Sequence, residues 1–366
     1  MNRKASIAAL TTLVVLALGS TAWAQLWIEP RCKRLPFNRI MPVVELSHDR
    51  LLKVEGTVFR TSNDDGKTWS PRRTIYDGPG PGIPSEEEAS TQVLRTRSGA
   101  LVMVYMDMST CKWKWDAVRN EAAKDSRLDV WAIRSLDEGK TWIDRQKILD
   151  GYCGALIGMI QTTSGQIVVP MQTMLDRKRH VTVTGVSADD GRTWQQGNII
   201  DLGGRGDHDG GFEATVAQLS NGRLLLLIRT NLDRFWEAFS DDQGRYWREI
   251  GPSRIDASSS PGHLVRLASG RLALAWNRLC AEGKGVVRRA AVGLAETPAS
   301  WQREELSLAF SGDDAKTWSK PVVIARQPGG SLAYPHIFER RPGELWIATH
   351  QTAICLSLKE ADFVQK

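Results

Sequence analysis

The stretch Ser187-Ala-Asp-Asp-Gly-Arg-Thr-Trp194 decides the architecture, because the chain writes the same pattern five times. All copies share the form S-x-D-x-[GA]-x-[TY]-W, with Ala315 in place of the glycine in the last one. The tryptophans that close the copies are Trp69, Trp142, Trp194, Trp247 and Trp318. In such a stretch the Asp carboxylate accepts hydrogen bonds from the backbone N–H groups ahead of it, and the glycine tolerates a positive φ. The tryptophan side chain folds back and packs against the sheet. The pattern therefore predicts five hairpin turns between the outer strands of a repeated sheet.

A second unit repeats between these turns: an apolar strand, a polar turn with Gly or Asp, and another apolar strand. The six pairs span residues 41–54, 91–105, 156–170, 214–228, 263–276 and 334–348. Short strands in evenly spaced hairpins are typical of β-propellers, so we predict an all-β chain with six blades.

The sixth pair has no tryptophan turn after it and runs instead into Ile354-Cys-Leu-Ser-Leu358. We expect Gln25-Leu-Trp-Ile28 to supply the outer strand of this blade and to close the ring. The stretch from Thr110 to Arg127 reads as a long loop between the second and third strands of the second blade. A loop of this length is expected at the rim of a site.

The first residues have the form of an export signal. Arg3 and Lys4 precede an apolar run from Ala8 to Leu18, and Ala22-Trp-Ala24 is a small-x-small cleavage site. The apolar run is too short for a membrane span, so we expect none in the mature chain. The predicted organisation is a signal peptide over residues 1–24 and one propeller over residues 25–366, periplasmic or secreted and monomeric.

Composition limits the ligands. The formal net charge of +6 is spread along the chain without a long basic run, which gives no reason to expect nucleic acid but suits an anionic substrate. The five cysteines fit no metal-binding spacing, and an odd number leaves at least one unpaired. Cys32 and Cys355 are either bridged across the ring closure or are buried thiols. We expect no metal and no cofactor.

In a propeller, the innermost strands start and the second strands end around one mouth of the central channel. The sequence places Glu213 and Tyr334 at strand starts, and Asp107 and Arg229 at strand ends. A charge that ends an apolar strand needs a ligand or a partner charge, so we expect a polar site at this mouth.

The repeated turn is similar to the Asp-box, and with it the chain resembles the sialidase (neuraminidase) superfamily. The resemblance implies a six-bladed propeller with each box between the third and fourth strands of a blade. It also implies a tyrosine nucleophile with a glutamate as general base, an aspartate as acid/base, and three arginines that clamp the substrate carboxylate bidentately. The box alone says little about chemistry, since non-catalytic propellers carry it too.

The C-terminal half matches that pattern in order and in blade. Glu213 and Arg229 have the spacing of the family's glutamate and second arginine. Arg303 stands in an R-x-x-L-x-L-x-x-S run into a box, like the third arginine, and Tyr334 opens the last blade, where the nucleophile falls.

The N-terminal half departs from the pattern. Arg39, in Phe37-Asn-Arg39-Ile-Met-Pro42, resembles the first clamp arginine with two extra residues in the motif. The first blade has no room for the acid/base loop, so we assign that role to Asp107, which precedes the long loop of blade 2, with Glu88 and Asp209 as rivals. His350 stands about where the family has a glutamate that steadies the first arginine.

The resemblance implies an exported exo-α-sialidase that releases terminal sialic acid from an acidic glycan without a cofactor. One alternative is a hydrolase or lyase that acts on another acidic sugar. A second, from a different class, is a non-catalytic propeller that binds glycan or scaffolds a complex. Trp113 and Trp115 of the long loop are candidates either for stacking on sugar rings or for anchoring the loop.

Overall fold

Apolar strands separated by tight turns form six antiparallel sheets, the blades of a β-propeller, in the computed structural model; five of these sheets have four strands and one has five. The structure describes residues 25–36, 42–47, 49–55, 58–76, 91–290, 295–352 and 354–364. The predicted signal segment and the positions of Arg39 and Glu88 lie outside the described residues. Within them, no helix is long and apolar enough to cross a membrane.

Each blade is numbered in chain order, and its strands are counted from the channel outward. Blade 1 contains Val43–Glu45, Leu51–Glu55, Val58–Ser62 and Arg73–Thr74; blade 2 contains Thr91–Arg95, Leu101–Met106, Val130–Ser135 and Ile143–Leu149. Blade 3 contains Ile160–Gln161, Ile167–Leu175, Arg179–Ser187 and Gln195–Gln196; blade 4 contains Phe212–Gln218, Leu224–Arg229, Arg234–Ser240 and Glu249–Asp256. Blade 5 contains His263–Arg266, Leu272–Trp276, Glu305–Ser311 and Val322–Arg326; blade 6 contains Pro335–Arg341, Glu344–Thr349, Cys355–Lys359 and Lys33–Arg34.

Two segments, here called excursions, are inserted between the second and third strands of a blade. Between the second and third strands of blade 2, the chain forms a 3-10 helix at Met108–Thr110 and a short hairpin of Trp115–Asp116 with Glu121–Ala122. At the same position in blade 5, Arg288–Arg289 pairs with Ala299–Ser300. A second 3-10 helix, Glu360–Asp362, follows the last strand.

The five tryptophan turns have the predicted hydrogen bonds. In the turn after blade 3's third strand, the Ser187 hydroxyl donates to Asp189 Oδ1 at 2.9 Å, and Asp189 accepts from Thr193 N at 2.8 Å and from its hydroxyl at 2.7 Å. Gly191 has φ +79°, and a Cβ there would lie 2.8 Å from a methyl of Val102 in blade 2. Glycine is therefore required both for the turn and for the close approach of the neighbouring blade.

The hydrophobic core is divided into six clusters, one in each gap between neighbouring blades. The gap between blades 6 and 1 is filled by Val43, Leu51, Trp346 and Ala348 with Trp69 packed against them. Each sheet thus buries both faces against its neighbours, and the ring is closed.

The strand that closes blade 6 differs from the prediction. Lys33–Arg34 pairs with the third strand of that blade, while Trp27–Ile28 pairs with Val322–Arg326 as a fifth strand of blade 5. A turn at Glu29 to Cys32, with Cys32 N donating to Glu29 O at 2.8 Å, carries the chain from one blade to the next. Both residues of Lys33–Arg34 are exposed, so the strand gives no apolar signal in the sequence.

Cys32 and Cys355 are buried on opposite faces of blade 6. Cys32 lies in the cluster between blades 5 and 6, and Cys355 lies in the cluster between blades 6 and 1. The structure has no disulfide bond between them, which agrees with the alternative of buried thiols.

Candidate functional site at one mouth of the channel

Tyr334 before blade 6 meets Glu213 and Arg229 of blade 4. The Tyr334 hydroxyl donates to Glu213 Oε1 at 3.0 Å, although the two residues are 121 positions apart. Arg229 forms an ion pair with Glu213 Oε2 and lies 3.3 Å from the tyrosine oxygen through the same nitrogen. One phenol, one carboxylate and one guanidinium thus form a single connected group.

The backbone of Glu213 and Tyr334 has a left-handed conformation. Glu213 has φ +50° and sits where the pairing of the first two strands of blade 4 shifts register between Phe212 and Thr215. Tyr334 has φ +55° directly before the inner strand of blade 6. Left-handed backbone at non-glycine residues costs of order 1–3 kcal/mol and is concentrated at functional sites.

The surroundings keep the phenol protonated at rest. Burial, and then the neighbouring Glu213 carboxylate, raise the pKa of Tyr334 to about 12, against the opposing effect of Arg229 and Arg303. Burial disfavours the charge on Arg229, but the Glu213 and Tyr334 oxygens outweigh it and raise the pKa of Arg229. A neutral phenol that donates to an adjacent carboxylate is an arrangement for a nucleophile with its general base.

Arg303 approaches the same tyrosine from blade 5. Its guanidinium carbon lies 5.6 Å from the centre of the Tyr334 ring, and its nitrogens donate to Ser259 O and Gln351 Oε1, each at 3.1 Å. Within the part of the chain that the structure describes, the buried Nε of Arg303 has no hydrogen-bond partner. The site therefore holds a buried donor group suited to an anion.

Two residues that the sequence did not single out hold the arginines in place. The Ser259 hydroxyl accepts from Arg229 Nε at 3.2 Å, while its carbonyl oxygen accepts from Arg303. The Trp301 ring lies 5.3 Å from the Arg229 guanidinium carbon and 5.2 Å from that of Arg303. In the sequence, the one feature that could have indicated these contacts is the run Ser258-Ser259-Ser260 ahead of the inner strand of blade 5.

Asp107 and Asp209, the two described candidates for the acid/base role, accept hydrogen bonds from other parts of the chain. Asp107 is fully buried, and its Oδ1 caps the 3-10 helix by accepting Ser109 N at 3.1 Å and the Ser109 hydroxyl at 2.8 Å. Asp209 is also buried, with Oδ1 accepting Gly210 N at 2.8 Å and Oδ2 accepting Thr297 N at 3.0 Å. Asp107 thus caps the 3-10 helix, and Asp209 joins the linker before blade 4 to the excursion of blade 5.

Tyr334 also borders the channel itself. A small cleft of about 30 Å³ lies beside it. The cleft is lined by Pro42, Thr91, Gln92, Leu156, Ile157, Tyr334, Pro335, His336, Thr349 and His350. His336 stacks on His263 with ring centres 4.3 Å apart, and burial lowers the pKa of His336 to about 4. His350 packs edge-on against the Tyr334 ring at 6.1 Å.

The long loop of blade 2 forms a wall beside blade 3, at the predicted position. Trp113 stacks on Tyr152 with ring centres 4.1 Å apart, and Trp115 packs against Trp113 at 5.9 Å. At the hairpin tip, Asn120 Nδ2 donates to Glu296 Oε1 at 3.1 Å, in the excursion of blade 5. The two tryptophans therefore anchor the loop. No group of three or more His, Cys, Asp or Glu side chains among the described residues is arranged to hold a metal ion.

Solved structures support the fold. A protein of unknown function from Dyadobacter fermentans DSM 18053 is 17% identical, with TM-score 0.57 over 90% of this chain and 99% of its own. The Hadza microbial sialidase Hz136 is 18% identical, with TM-score 0.59 over 89% of this chain and 66% of its own. The Penicillium chrysogenum α-L-arabinanase complexed with arabinobiose is 12% identical, with TM-score 0.56 over 91% of this chain and 96% of its own.

None of the curated proteins compared with the sequence matched it. The family model described as a BNR repeat-like domain matches residues 57–347, which is most of the chain and includes every tryptophan turn. Together with the six-bladed fold, this confirms the resemblance to the sialidase-like propellers. The chain belongs to the family of BNR repeat-like domains.

Proposed function

We propose that the protein is a retaining glycoside hydrolase that releases a terminal sialic acid, in the manner of an exo-α-sialidase. The observation that carries the proposal is the hydrogen bond from the Tyr334 phenol to Glu213. Arg229 contacts both the phenol oxygen of Tyr334 and the Oε2 atom of Glu213. A sialoside bears a carboxylate on its anomeric carbon, so a neutral phenol approaches that carbon without the repulsion that a carboxylate nucleophile would meet.

The proposed chemistry follows from the contacts. As the Tyr334 oxygen bonds to the anomeric carbon, its proton passes to Glu213, and the glycosidic bond to the leaving oxygen breaks. Arg229 stabilises the charge that develops on the phenol oxygen. Water then displaces Tyr334 from the sugar, and Glu213 returns the proton.

Arg303 supports an acidic substrate. Its Nε is a buried donor with no partner in the described residues, and a substrate carboxylate would satisfy it. Arg229 already donates to Glu213, Tyr334 and Ser259. We propose that Arg303 carries most of the recognition of the carboxylate, with Arg229 as a second clamp and Arg39, outside the described residues, as a third.

A second candidate is a glycoside hydrolase acting on another acidic sugar, such as a uronic or ulosonic acid. The commitment of Arg229 to protein partners favours it, because fewer free donors then face a carboxylate on the anomeric carbon. A similar fold occurs in an arabinanase and a sialidase, so the fold does not choose between sugars. Hydrolysis of a panel of aryl sialosides and aryl uronides would separate the two.

The proposed function is tested by hydrolysis of a fluorogenic aryl α-sialoside. The wild type should release the fluorophore, and Tyr334→Phe should lower kcat by at least about 100-fold while leaving binding intact, because it removes the nucleophile and keeps the ring. Tyr246→Phe is the matched control, since Tyr246 is an exposed residue of the blade 4 turn.

Equal activity in Tyr334→Phe and Tyr246→Phe would contradict the assignment of the nucleophile. A folded wild type that binds sialosides but turns over neither sialosides nor uronides would instead support a non-catalytic glycan-binding propeller.

We also propose that the chain is exported, on the basis of Arg3, Lys4 and the Ala22-Trp-Ala24 site. N-terminal sequencing of protein recovered from the periplasm or the medium should begin at Gln25. Recovery of the full-length chain from the cytoplasm alone would contradict export.

A further inference from the structure

A second polar cluster lies beside the Tyr334 group, in the linker between blades 3 and 4. His208 Nδ1 lies 2.9 Å from Asp207 Oδ1. The Asp207 side chain is only 6% exposed, whereas that of His208 is 38% exposed. The pair therefore consists of a buried carboxylate and an imidazole that reaches solvent at the mouth.

Two aromatic rings connect His208 to the site. The His208 ring packs edge-on against Phe212 at 6.3 Å and Trp301 at 6.1 Å between centres. The Arg229 guanidinium carbon lies 4.5 Å from the centre of the same Phe212 ring and 5.3 Å from that of Trp301. Imidazole and guanidinium thus border the same two rings, which connect His208 to Arg229 of the Tyr334 group.

The buried side of the pair is ordered by His180. Its Nε2 lies 3.7 Å from Asp207 Oδ1, and its Nδ1 lies 3.4 Å from the Gln172 amide nitrogen. An amide N–H directed at Nδ1 requires the His180 proton to be on Nε2, facing Asp207. Burial lowers the pKa of His180, so His180 is neutral.

Asp207 is ionised at neutral pH. Burial alone would raise the pKa of Asp207, but the nearby His180 and His208 side chains outweigh burial and hold it well below its ordinary value. Because His180 is neutral, the charge of Asp207 faces His208 Nδ1, 2.9 Å away. This leaves His208 Nε2 for a substrate, by the same logic that orients histidine in other hydrolytic sites.

We propose that His208 is the acid/base residue of the site, with Asp207 as its positioning residue. The inference rests on the proposed function, and it answers a need of that function, since Asp107 caps the 3-10 helix and Asp209 accepts from the backbone of Gly210 and Thr297. In the first step, His208 Nε2–H gives its proton to the leaving oxygen as the Tyr334 oxygen bonds to the anomeric carbon and the glycosidic bond breaks. In the second, His208 accepts a proton from the attacking water, and the Tyr334 oxygen leaves with the proton held by Glu213.

The test compares two substrates whose leaving groups differ in their need for a proton. An aryl α-sialoside departs as a phenolate with little need of a proton, whereas sialyllactose departs from a sugar hydroxyl that needs one. His208→Asn should lower kcat/KM for sialyllactose by about 10²–10⁴-fold and for the aryl sialoside by less than about tenfold. Asparagine suits the variant because it tolerates the φ of +59° at this position and cannot transfer the proton.

The positioning role of Asp207 is read from the same pair of substrates. Asp207→Asn should lower kcat/KM for sialyllactose by more than for the aryl sialoside, as His208→Asn does, because the imidazole loses the carboxylate that faces its Nδ1. Asp201→Asn is the control, since Asp201 lies in the same linker but pairs with Arg179 at 2.6 Å, and its kcat/KM for both substrates should match the wild type.

Asp107→Asn tests the competing assignment, in which Asp107 is the acid/base residue. Equal losses on both substrates in His208→Asn, or a selective loss on sialyllactose in Asp107→Asn instead, would overturn the inference while leaving the proposed function standing. A wild type that hydrolyses neither substrate would overturn the proposed function, and the inference with it.

Discussion

The residues that define the site share an unusual backbone. Glu213, Tyr334 and His208 have φ of +50°, +55° and +59°, although none is glycine. Each stands at or just before the start of an inner strand, where the chain turns into the mouth of the channel. The resemblance to sialidases identified Glu213 and Tyr334 from their order and blade. Contacts such as Trp301 with Arg229 join residues 72 positions apart and leave no local pattern to read.

At this scale we predict the effect of Glu213→Gln. The variant should lower kcat for an aryl sialoside by about 10²–10⁴-fold at neutral pH, because the phenol loses its base. The Glu213 carboxylate helps to raise the pKa of Tyr334 to about 12, so its removal should lower that pKa. Residual activity should therefore increase as the pH is raised towards ionisation of Tyr334, which a pH–rate profile measures.

Glu237→Gln is the control for this variant, since Glu237 lies on the third strand of the same blade and lines a groove between blades 4 and 5. A Glu213→Gln enzyme with the turnover and pH profile of Glu237→Gln would contradict the role of Glu213.

At the scale of elements, the tryptophan turns were predicted well because their hydrogen bonds lie within eight residues of sequence. In blade 2, Asp137 accepts from the Ser135 hydroxyl at 2.8 Å and from Thr141 N at 2.8 Å. The outer strand Lys33–Arg34 was missed for the opposite reason, since it is charged and its pairing is wholly tertiary. The burial of Asp107 under the loop that follows it was equally invisible in the sequence.

We predict that Asp137→Ala lowers the free energy of unfolding by about 1 kcal/mol, through loss of the turn's hydrogen bonds. Burial works against it, but hydrogen bonds from Thr141 and Ser135 lower the pKa of Asp137 from 3.8 to about 2. A depressed pKa in the folded state stabilises the protein above pH about 4, and this contribution is lost as the pH falls towards about 2. The difference between wild type and variant, measured by denaturant unfolding, should shrink over that interval.

Leu136→Ala is the matched control, because Leu136 is 60% exposed in the same turn and should change stability by less than about 0.5 kcal/mol. A pH-independent difference for Asp137→Ala, or equal effects of the two variants, would count against the account of the turn.

At the scale of the whole molecule, stability depends on closing the ring between blades 6 and 1. The Arg340 side chain is only 1% exposed, and its Nε donates to Asp65 Oδ1 at 2.7 Å in the turn of blade 1. A second nitrogen lies 3.3 Å from Glu45 of the same blade. The six strand pairs in the sequence predicted a closed ring, but they did not show which side chains seal it.

We predict that Arg340→Met lowers the free energy of unfolding by about 2–3 kcal/mol, because it removes the charge-assisted hydrogen bonding of a buried guanidinium with blade 1. Arg341→Met is the matched control. Arg341 also pairs with Asp65, at 2.9 Å, but its side chain is 51% exposed, so its loss should cost less than about 1 kcal/mol. Equal destabilisation by the two variants in denaturant unfolding would contradict the role of Arg340 in the seal.

The most direct test of the central claim is to trap the covalent intermediate. A sialosyl fluoride carrying a second fluorine beside the anomeric carbon should glycosylate the nucleophile with loss of fluoride, and the added fluorine slows hydrolysis of the adduct by destabilising the oxocarbenium-like transition state. Peptide mass spectrometry should place the added sugar on Tyr334 in the wild type and find none in Tyr334→Phe. An adduct on any other residue, or turnover of the aryl sialoside with no adduct on Tyr334, would contradict the account.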